Sequence, residues 1–361
     1  METLAFSDLI IDKTKDGTKL PTNDYQKIGS TAIIDQGQEF IAGYTDRSEG
    51  IFTDVPVIIF GDHTRVFKYI DFPFFLGADG VKILKANREV NYRYLYYYFL
   101  QAKFPNTGYA RHFKWLKELQ IPLPPLAEQK HITAILDKTQ KIIAEHKQML
   151  QKYDTLIKSR FIEMFGDPHN NTKYTYKNVG DFTTVTSGGT PDRKNIEYWK
   201  NGNIPWVKTT ELQNNELTNV EEFITQKGLD ESSAKMMPIG TLLIAMYGQG
   251  KTRGMTAYLG IEASTNQACA CILPSKVINQ KFLWYYFILS YDKLRDLAKG
   301  GNQPNLNGNM IKDFPVLMPP IEMQNEYVSF VQQIDKSKFA VQKSLEKTET
   351  LYKSLMQQYF G

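Results

Sequence analysis

Few residues in this 361-residue chain have the types and spacing for chemistry, and each stands in a context that limits it. Ala245-Met246-Tyr247-Gly248-Gln249-Gly250-Lys251-Thr252 has the spacing of a phosphate-binding loop, with alanine in place of the first glycine. Such a loop works by offering phosphate the backbone N–H groups at the start of the helix that follows. Residues 253–259 bring a glycine and β-favouring residues instead, so no nucleotide site is expected. Cys269 and Cys271 flank one residue of an apolar run. On a strand they share a face, with too little chain between them for a normal disulfide. No histidine is near enough to complete a zinc set, so they read as buried thiols of a reducing compartment. The five histidines are scattered, and no Ser/His/Asp grouping has local support.

The remaining chemistry is that of binding. Lys251 and Arg253 lie in a glycine-rich loop leaving a strand, and an earlier stretch, Val57–Arg65, presents His63 and Arg65 in the same way. Such side chains hold phosphates or read guanine edges. The competing reading is a solvated turn with incidental charge. Further candidates are Lys208, Thr209 and Thr210 after the Trp206 strand, and Arg193 near the Gly-Gly-Thr-Pro turn at 188–191. Asn302 and Gln303 carry amides of the kind that suit adenine. For each of these an ordinary turn is the competing reading. Net charge is only +4, and basic and acidic side chains nearly balance in 1–120 and in 167–315. Any DNA contact must come from local patches, or lean on a partner for phosphate neutralisation.

The elements that position these loops come in duplicate. Residues 121–166 align with 316–361 at a constant offset of 195 and without a gap. Pro124-Pro125 meets Pro319-Pro320, Gln129 meets Gln324, Thr155-Leu156 meets Thr350-Leu351, and Phe165-Gly166 meets Phe360-Gly361. Upstream, Leu95–Phe99 resembles Leu283–Phe287, and 57–65 resembles 242–253. The organisation is therefore domain (1–120), helix (121–166), domain (167–315), helix (316–361). Short β-rich runs, tight glycine turns and one aromatic helix near the end of each domain point to an α+β fold. The aromatic runs could suggest base stacking. Consecutive aromatics on a helix cannot all face one ligand, so core packing is expected.

Each 46-residue copy reads as one long helix opened by the Pro-Pro pair and closed by Phe-Gly. Leu136, Ile143, Leu150, Ile157 and Met164 recur every seven residues, with Ile135, Ile142, Met149 and Leu156 beside them. The second copy has Val331, Leu345, Tyr352 and Tyr359, broken by Lys338, with Ile334, Val341 and Leu355 on the other seam. This period predicts a coiled coil; helices packed on separate domains are the alternative. Antiparallel pairing follows, because the second helix has only the first to return along. A rod of about 50 Å would hold two domains at its ends, related by a pseudo-twofold axis. That distance corresponds to roughly 15 base pairs of duplex.

Pro-Pro-Leu-Ala-Glu-Gln at 124–129 precedes a long helix ending Glu-Met-Phe-Gly-Asp-Pro at 163–168. This resembles the central conserved region of type I restriction-modification specificity subunits, and the C-terminal copy resembles their second conserved region. Gly-Asp-His-Thr-Arg at 61–65, Gly-Gly-Thr-Pro at 188–191, Tyr198-Trp199 and Ile204-Pro205-Trp206-Val207 resemble segments of their target-recognition domains. The resemblance covers essentially the whole chain. It implies that each domain reads one half of an asymmetric, bipartite duplex DNA site. It implies that the helices set the spacer and dock two methyltransferase subunits. Restriction/translocase subunits would complete the assembly. S-adenosylmethionine, ATP and magnesium would belong to those partners, with no cofactor or metal held by this chain.

The alternatives are a methyltransferase or nuclease with its own active site, and a coiled-coil protein scaffold. A methyltransferase needs an Asn-Pro-Pro-aromatic type motif, and Leu123-Pro-Pro-Leu126 and Met318-Pro-Pro-Ile321 lack both the asparagine and the aromatic. The chain reads as non-catalytic. No stretch approaches 18 uncharged apolar residues and the first residues do not form a secretory signal, so a cytoplasmic protein is expected.

Overall fold

The computed structural model describes residues 2–77, 80–105, 110–248, 250–298 and 305–361. By contacts it divides into one unit of Met1–Gln148 with Gln342–Gly361, and another of Met149–Val341. Chain order begins with β1 (Glu2–Ala5), α1 (Phe6–Leu9), β2 (Ile10–Asp12), β3 (Thr31–Ile34), β4 (Gly43–Thr45), β5 (Val57–Gly61), β6 (Phe67–Ile70), β7 (Phe74–Leu76) and β8 (Val81–Ala86). Next come α2 (Tyr92–Leu100), α3 (Phe113–Leu116), β9 (Gln120–Leu123) and the long α4 (Leu126–Phe165). The second half runs β10 (Tyr176–Asn178), α5 (Val179–Phe182), β11 (Val185–Ser187), β12 (Ile204–Val207), β13 (Asn215–Leu217), β14 (Glu222–Ile224), α6 (Gln226–Asp230), β15 (Leu242–Ala245), β16 (Thr256–Leu259), β17 (Ser264–Thr265) and β18 (Cys269–Ile272). It closes with α7 (Gln280–Leu289), α8 (Tyr291–Asp296), α9 (Gly308–Lys312), β19 (Pro315–Leu317) and α10 (Ile321–Phe360).

The first unit is built on an antiparallel sheet of order β2-β8-β5-β6. Its central strand reads Val-Ile-Ile-Phe-Gly, a continuous apolar run, because both faces are covered. Ile58 and Phe60 face a core that includes α2 and parts of both long helices. Val57 and Ile59 face a second core completed by the sheet β4-β3-β7. In that smaller sheet β3 is antiparallel to β4 and parallel to β7. A separate ribbon pairs β1 with β9.

The second unit repeats this plan with one strand added. Its larger sheet has order β11-β18-β15-β16-β13, in which β13 is an additional parallel edge. Its smaller sheet is β14-β12-β17, again with one antiparallel and one parallel pair, and β10 pairs with β19. Along β18, Ala270 and Ile272 face the core shared with the helices, and Cys269 and Cys271 face the other. The cysteines are thus fully buried free thiols on one face of a strand, as their spacing suggested. Burial pushes the Cys271 thiol up to about 11. The duplicated sequence is a duplicated α+β topology.

The aromatic helices α2 and α7 pack into the cores. Tyr94, Leu95, Tyr97 and Phe99 are buried in one, and all of residues 282–287 in the other. Each is tied to a long helix by the same device. Gln129 Nε2 donates to the Pro124 carbonyl and its Oε1 accepts the Asn91 N–H, at 2.8 and 2.9 Å. Gln324 does likewise with Pro319 and Asn279, both at 2.8 Å. Asn91 and Asn279 in turn cap α2 and α7 through their side chains.

The long helices begin just after the Pro-Pro pairs; Ile121–Leu123 of the first copy belongs to strand β9 instead. Gly166 closes α4 with φ +81°, its N–H donating to the Ile162 carbonyl at 2.8 Å. Within the first unit Gln140 donates to the Tyr352 hydroxyl at 2.9 Å and Lys147 pairs with Glu349 at 2.9 Å. Within the second, Lys338 pairs with Asp154 and Arg160 with Glu326, at 2.5 and 2.8 Å. In both units rising numbers in α4 meet falling numbers in α10, so the contacts are antiparallel.

Leu136, Ile157, Val331 and Leu345 are buried, and Ile143, Leu150, Val341 and Leu355 half-buried. One expected seam is corrected. Met149 and Leu156 are 40% and 44% exposed, so the line beginning at Ile135 does not continue as a buried stripe. The covered companion line is Ile132, Thr139, His146, Tyr153 and Arg160, three residues from the Leu136 line along the helix. Its polar members hid it from a search for apolar repeats. Lys338, which interrupts the second helix's stripe, is held by its ion pair.

Candidate nucleic-acid interface

In each unit the candidate loop joins the two strands of a hairpin in the larger sheet. β5 leads to β6 through 62–66, and β15 to β16 through 246–255. The strand β16 stands where a phosphate-binding loop would need its helix, so 245–252 is a hairpin connection and offers no helix N-terminus to phosphate.

The first loop is a tight turn. Gly61 N–H donates to Val66 and Arg65 N–H to Gly61, both at 2.8 Å, with Arg65 in the left-handed region at φ +61°. Arg65 is exposed and His63 half-buried. The turn is braced from below by Asp62, which is only 5% exposed. Its carboxylate accepts the Phe113 N–H at 2.7 Å and its carbonyl accepts the His112 N–H at 2.9 Å. Thr64 Oγ1 donates to the Gln36 carbonyl at 2.6 Å.

The second loop is longer and is held by α8. The Tyr291 hydroxyl donates to the Lys251 carbonyl and Arg295 Nη1 to the Arg253 carbonyl, each at 2.7 Å. The Arg295 guanidinium also lies 5.2 Å from the centre of the Tyr291 ring. Backbone oxygens are thereby satisfied underneath, with the Lys251 side chain exposed and Arg253 half-buried. Neither Tyr291 nor Arg295 stood out in the sequence. Their partners are carbonyls, which leave no trace in residue identity.

A second cluster gathers the other candidates of that unit. The Arg193 guanidinium lies 3.8 Å from the Trp199 ring centre and 4.6 Å from that of Trp206, and pairs with Glu222. Lys208 pairs with Glu221 at 2.7 Å and Glu222 at 3.0 Å, and these hydrogen bonds raise its ammonium pKa. Thr209 begins a single turn of 3-10 helix beside it and is half-buried. Gly-Gly-Thr-Pro is present for close packing. A Cβ on Gly188 would lie 2.1 Å from the Thr265 carbonyl oxygen, and one on Gly189 would lie 2.3 Å from the Ser233 backbone. The Trp206 Nε1–H donates to the Gly189 carbonyl at 2.9 Å. Arg193 and Lys208 thus have their charge matched by glutamates, which would also repel a phosphate. Gln303, with its neighbour Asn302, lies outside the described residues.

Among the described residues no group of three or more His, Cys, Asp or Glu side chains is gathered for a metal. Nor is any helix long and apolar enough to cross a membrane.

The family model described as the type I restriction modification DNA specificity domain matches residues 10–152 and again 171–349, once in each repeat. The chain belongs to this DNA-specificity family. It is, in function, a specificity subunit of a type I restriction-modification system. The specificity subunit of the Escherichia coli type I restriction enzyme EcoR124I/EcoR124II is 27% identical over an alignment 350 residues long, which covers 90% of this chain and 85% of the relative. That of the enzyme MjaIX from Methanocaldococcus jannaschii is 29% identical over 167 residues, 44% of this chain and 37% of the relative. The crystal structure of a type I S subunit from M. genitalium aligns with TM-score 0.66 at 16% identity, covering 100% of this chain and 96% of that one. A chain from a structural study of assembly and conformational transition in a type I system aligns with TM-score 0.59 at 14% identity, covering 99% and 97%. At such identities the two structures speak for the fold alone.

Proposed function

We propose that each unit presents its hairpin loop to duplex DNA, so that the chain reads a two-part site with one half assigned to each domain. Lys251 and Arg253 act in the second domain, and His63 and Arg65 in the first. The observation that carries this is the recurrence of the loop. Two domains with different loop sequences place cationic side chains on the same hairpin of the same sheet, each braced from beneath by hydrogen bonds from a later segment. Arg193 and Lys208 serve the second domain's fold, through Glu222 and the tryptophan pair.

The near-balanced charge of the chain favours action inside a complex. Two methyltransferase subunits docked along α4 and α10 would supply S-adenosylmethionine chemistry, and restriction/translocase subunits the ATP- and magnesium-dependent steps. This chain contributes address without catalysis, in the cytoplasm where its target DNA lies. The paired helices, as a coiled coil, set the spacing between the halves.

Mapping the methylated motif of the reconstituted complex tests the reading. A split motif is expected, and Lys251→Ala with Arg253→Ala relaxes one half of it only. A continuous motif overturns the two-domain reading. Methylation unchanged by the double substitution overturns the assignment of that loop.

A further inference from the structure

The turn carrying Arg65 rests on a short segment with a charge pattern of its own. Residues 111–117 read Arg-His-Phe-Lys-Trp-Leu-Lys. His112 and Leu116 are buried and Phe113 and Trp115 half-buried, which leaves Arg111, Lys114 and Lys117 exposed. The segment is pinned to the turn by the bonds from His112 and Phe113 to Asp62 described above. Lys114 Nζ sits 4.6 Å from the Trp115 ring centre, and Lys117 Nζ sits 4.9 Å from that of Phe113. Ring contact restricts a cation without neutralising it.

Lys13, Lys82, Lys85, Arg88 and Arg93 of this unit each pair with a carboxylate. Among the described residues no carboxylate lies in ion-pair contact with Arg65, Arg111, Lys114 or Lys117. The second unit is built differently at this place. The offset of 195 that aligns β9 with β19 sets Leu306, Asn309 and Met310 against Arg111, Lys114 and Trp115, keeping only a lysine, Lys312.

We propose that Arg111, Lys114 and Lys117 form, beside Arg65, a grip on the phosphate backbone that the first domain has and the second lacks. The two domains then contribute unequally to the electrostatic part of DNA affinity. This rests on the reading that the hairpin loops face DNA. Each phosphate contact contributes about 0.9 to the slope of log affinity against log salt. The test is the binding of the methyltransferase-containing complex to duplex DNA between about 50 and 300 mM salt. With Arg111→Gln, Lys114→Gln and Lys117→Gln together, the slope should fall by roughly 2 to 3. Affinity for motif-bearing and unrelated duplexes should fall alike, leaving their ratio unchanged. Lys114→Gln alone, the mildest change to the fold, should lower the slope by about 1. An unchanged slope in a complex that still methylates its motif overturns the grip and leaves the hairpin reading standing. A lowered slope, with a motif indifferent to Lys251→Ala and Arg253→Ala, overturns the hairpin assignment and leaves the grip standing.

Discussion

The duplicated glutamine offers the most direct test of how the domains are fastened to their helices. Gln324 is 1% exposed and makes two hydrogen bonds, to the Pro319 carbonyl and from the Asn279 N–H. Gln324→Leu keeps the side-chain volume and leaves both backbone groups buried without their partner. A buried polar group stripped of its hydrogen bond costs about 1–3 kcal/mol. Two such groups amount to about 2–6 kcal/mol, and the leucine's apolar burial offsets part of it, so the net loss should be about 1–4 kcal/mol. Hydrogen exchange reads this locally. At about 1.4 kcal/mol per decade, the Asn279 amide should exchange at least about fivefold faster. Gln129→Leu should do the same to the Asn91 amide, which Gln129 Oε1 accepts at 2.9 Å. With no shared partner, the two losses should add. Acceleration of less than about threefold at either amide would show that these bonds are not what fastens the capped aromatic helix to the long one.

Other consequences can be checked more simply. Gly189→Ala would set a methyl 2.3 Å from the Ser233 backbone, so it should destabilise the second domain by about 1–3 kcal/mol, read as a lower urea midpoint by tryptophan fluorescence. Removing the cation stacked on Trp199 in Arg193→Ala should cost about 0.5–1 kcal/mol and leave the methylated motif unchanged; a changed motif would return Arg193 to the DNA-reading set. The Cys271 thiol, pushed up to about 11, is almost wholly protonated at pH 8 in the folded chain. Alkylation should therefore proceed only after unfolding, and rapid labelling of native protein at pH 8 would contradict the burial of β18. For Lys251→Ala, loss of a base contact should cost about 1–3 kcal/mol of discrimination at one position of one half-site, measured by competition between duplexes.

Much of this protein was legible in its residues. The ungapped match of 121–166 with 316–361 is a linear pattern, and it established the repeat, the two long helices and the paired domains. The spacing of Cys269 and Cys271 placed them on one face of a strand because strand side chains alternate with a period of two. Tertiary structure decided matters that depend on groups distant in sequence. It showed that 245–252 closes a hairpin, since pairing with β16 outweighs a local resemblance to a phosphate loop. It moved the helix stripe from the Ile135 line to the Ile132 line, because a covered face can be filled by Thr139, His146 and Tyr153 as well as by aliphatic residues. It also separated the cations. Arg193 and Lys208 meet Glu222 from loops 29 and 14 residues away in the chain, whereas Arg111, Lys114 and Lys117 meet no acid among the described residues. A charge is available to DNA only where folding has not already matched it, and that depends on which loops converge.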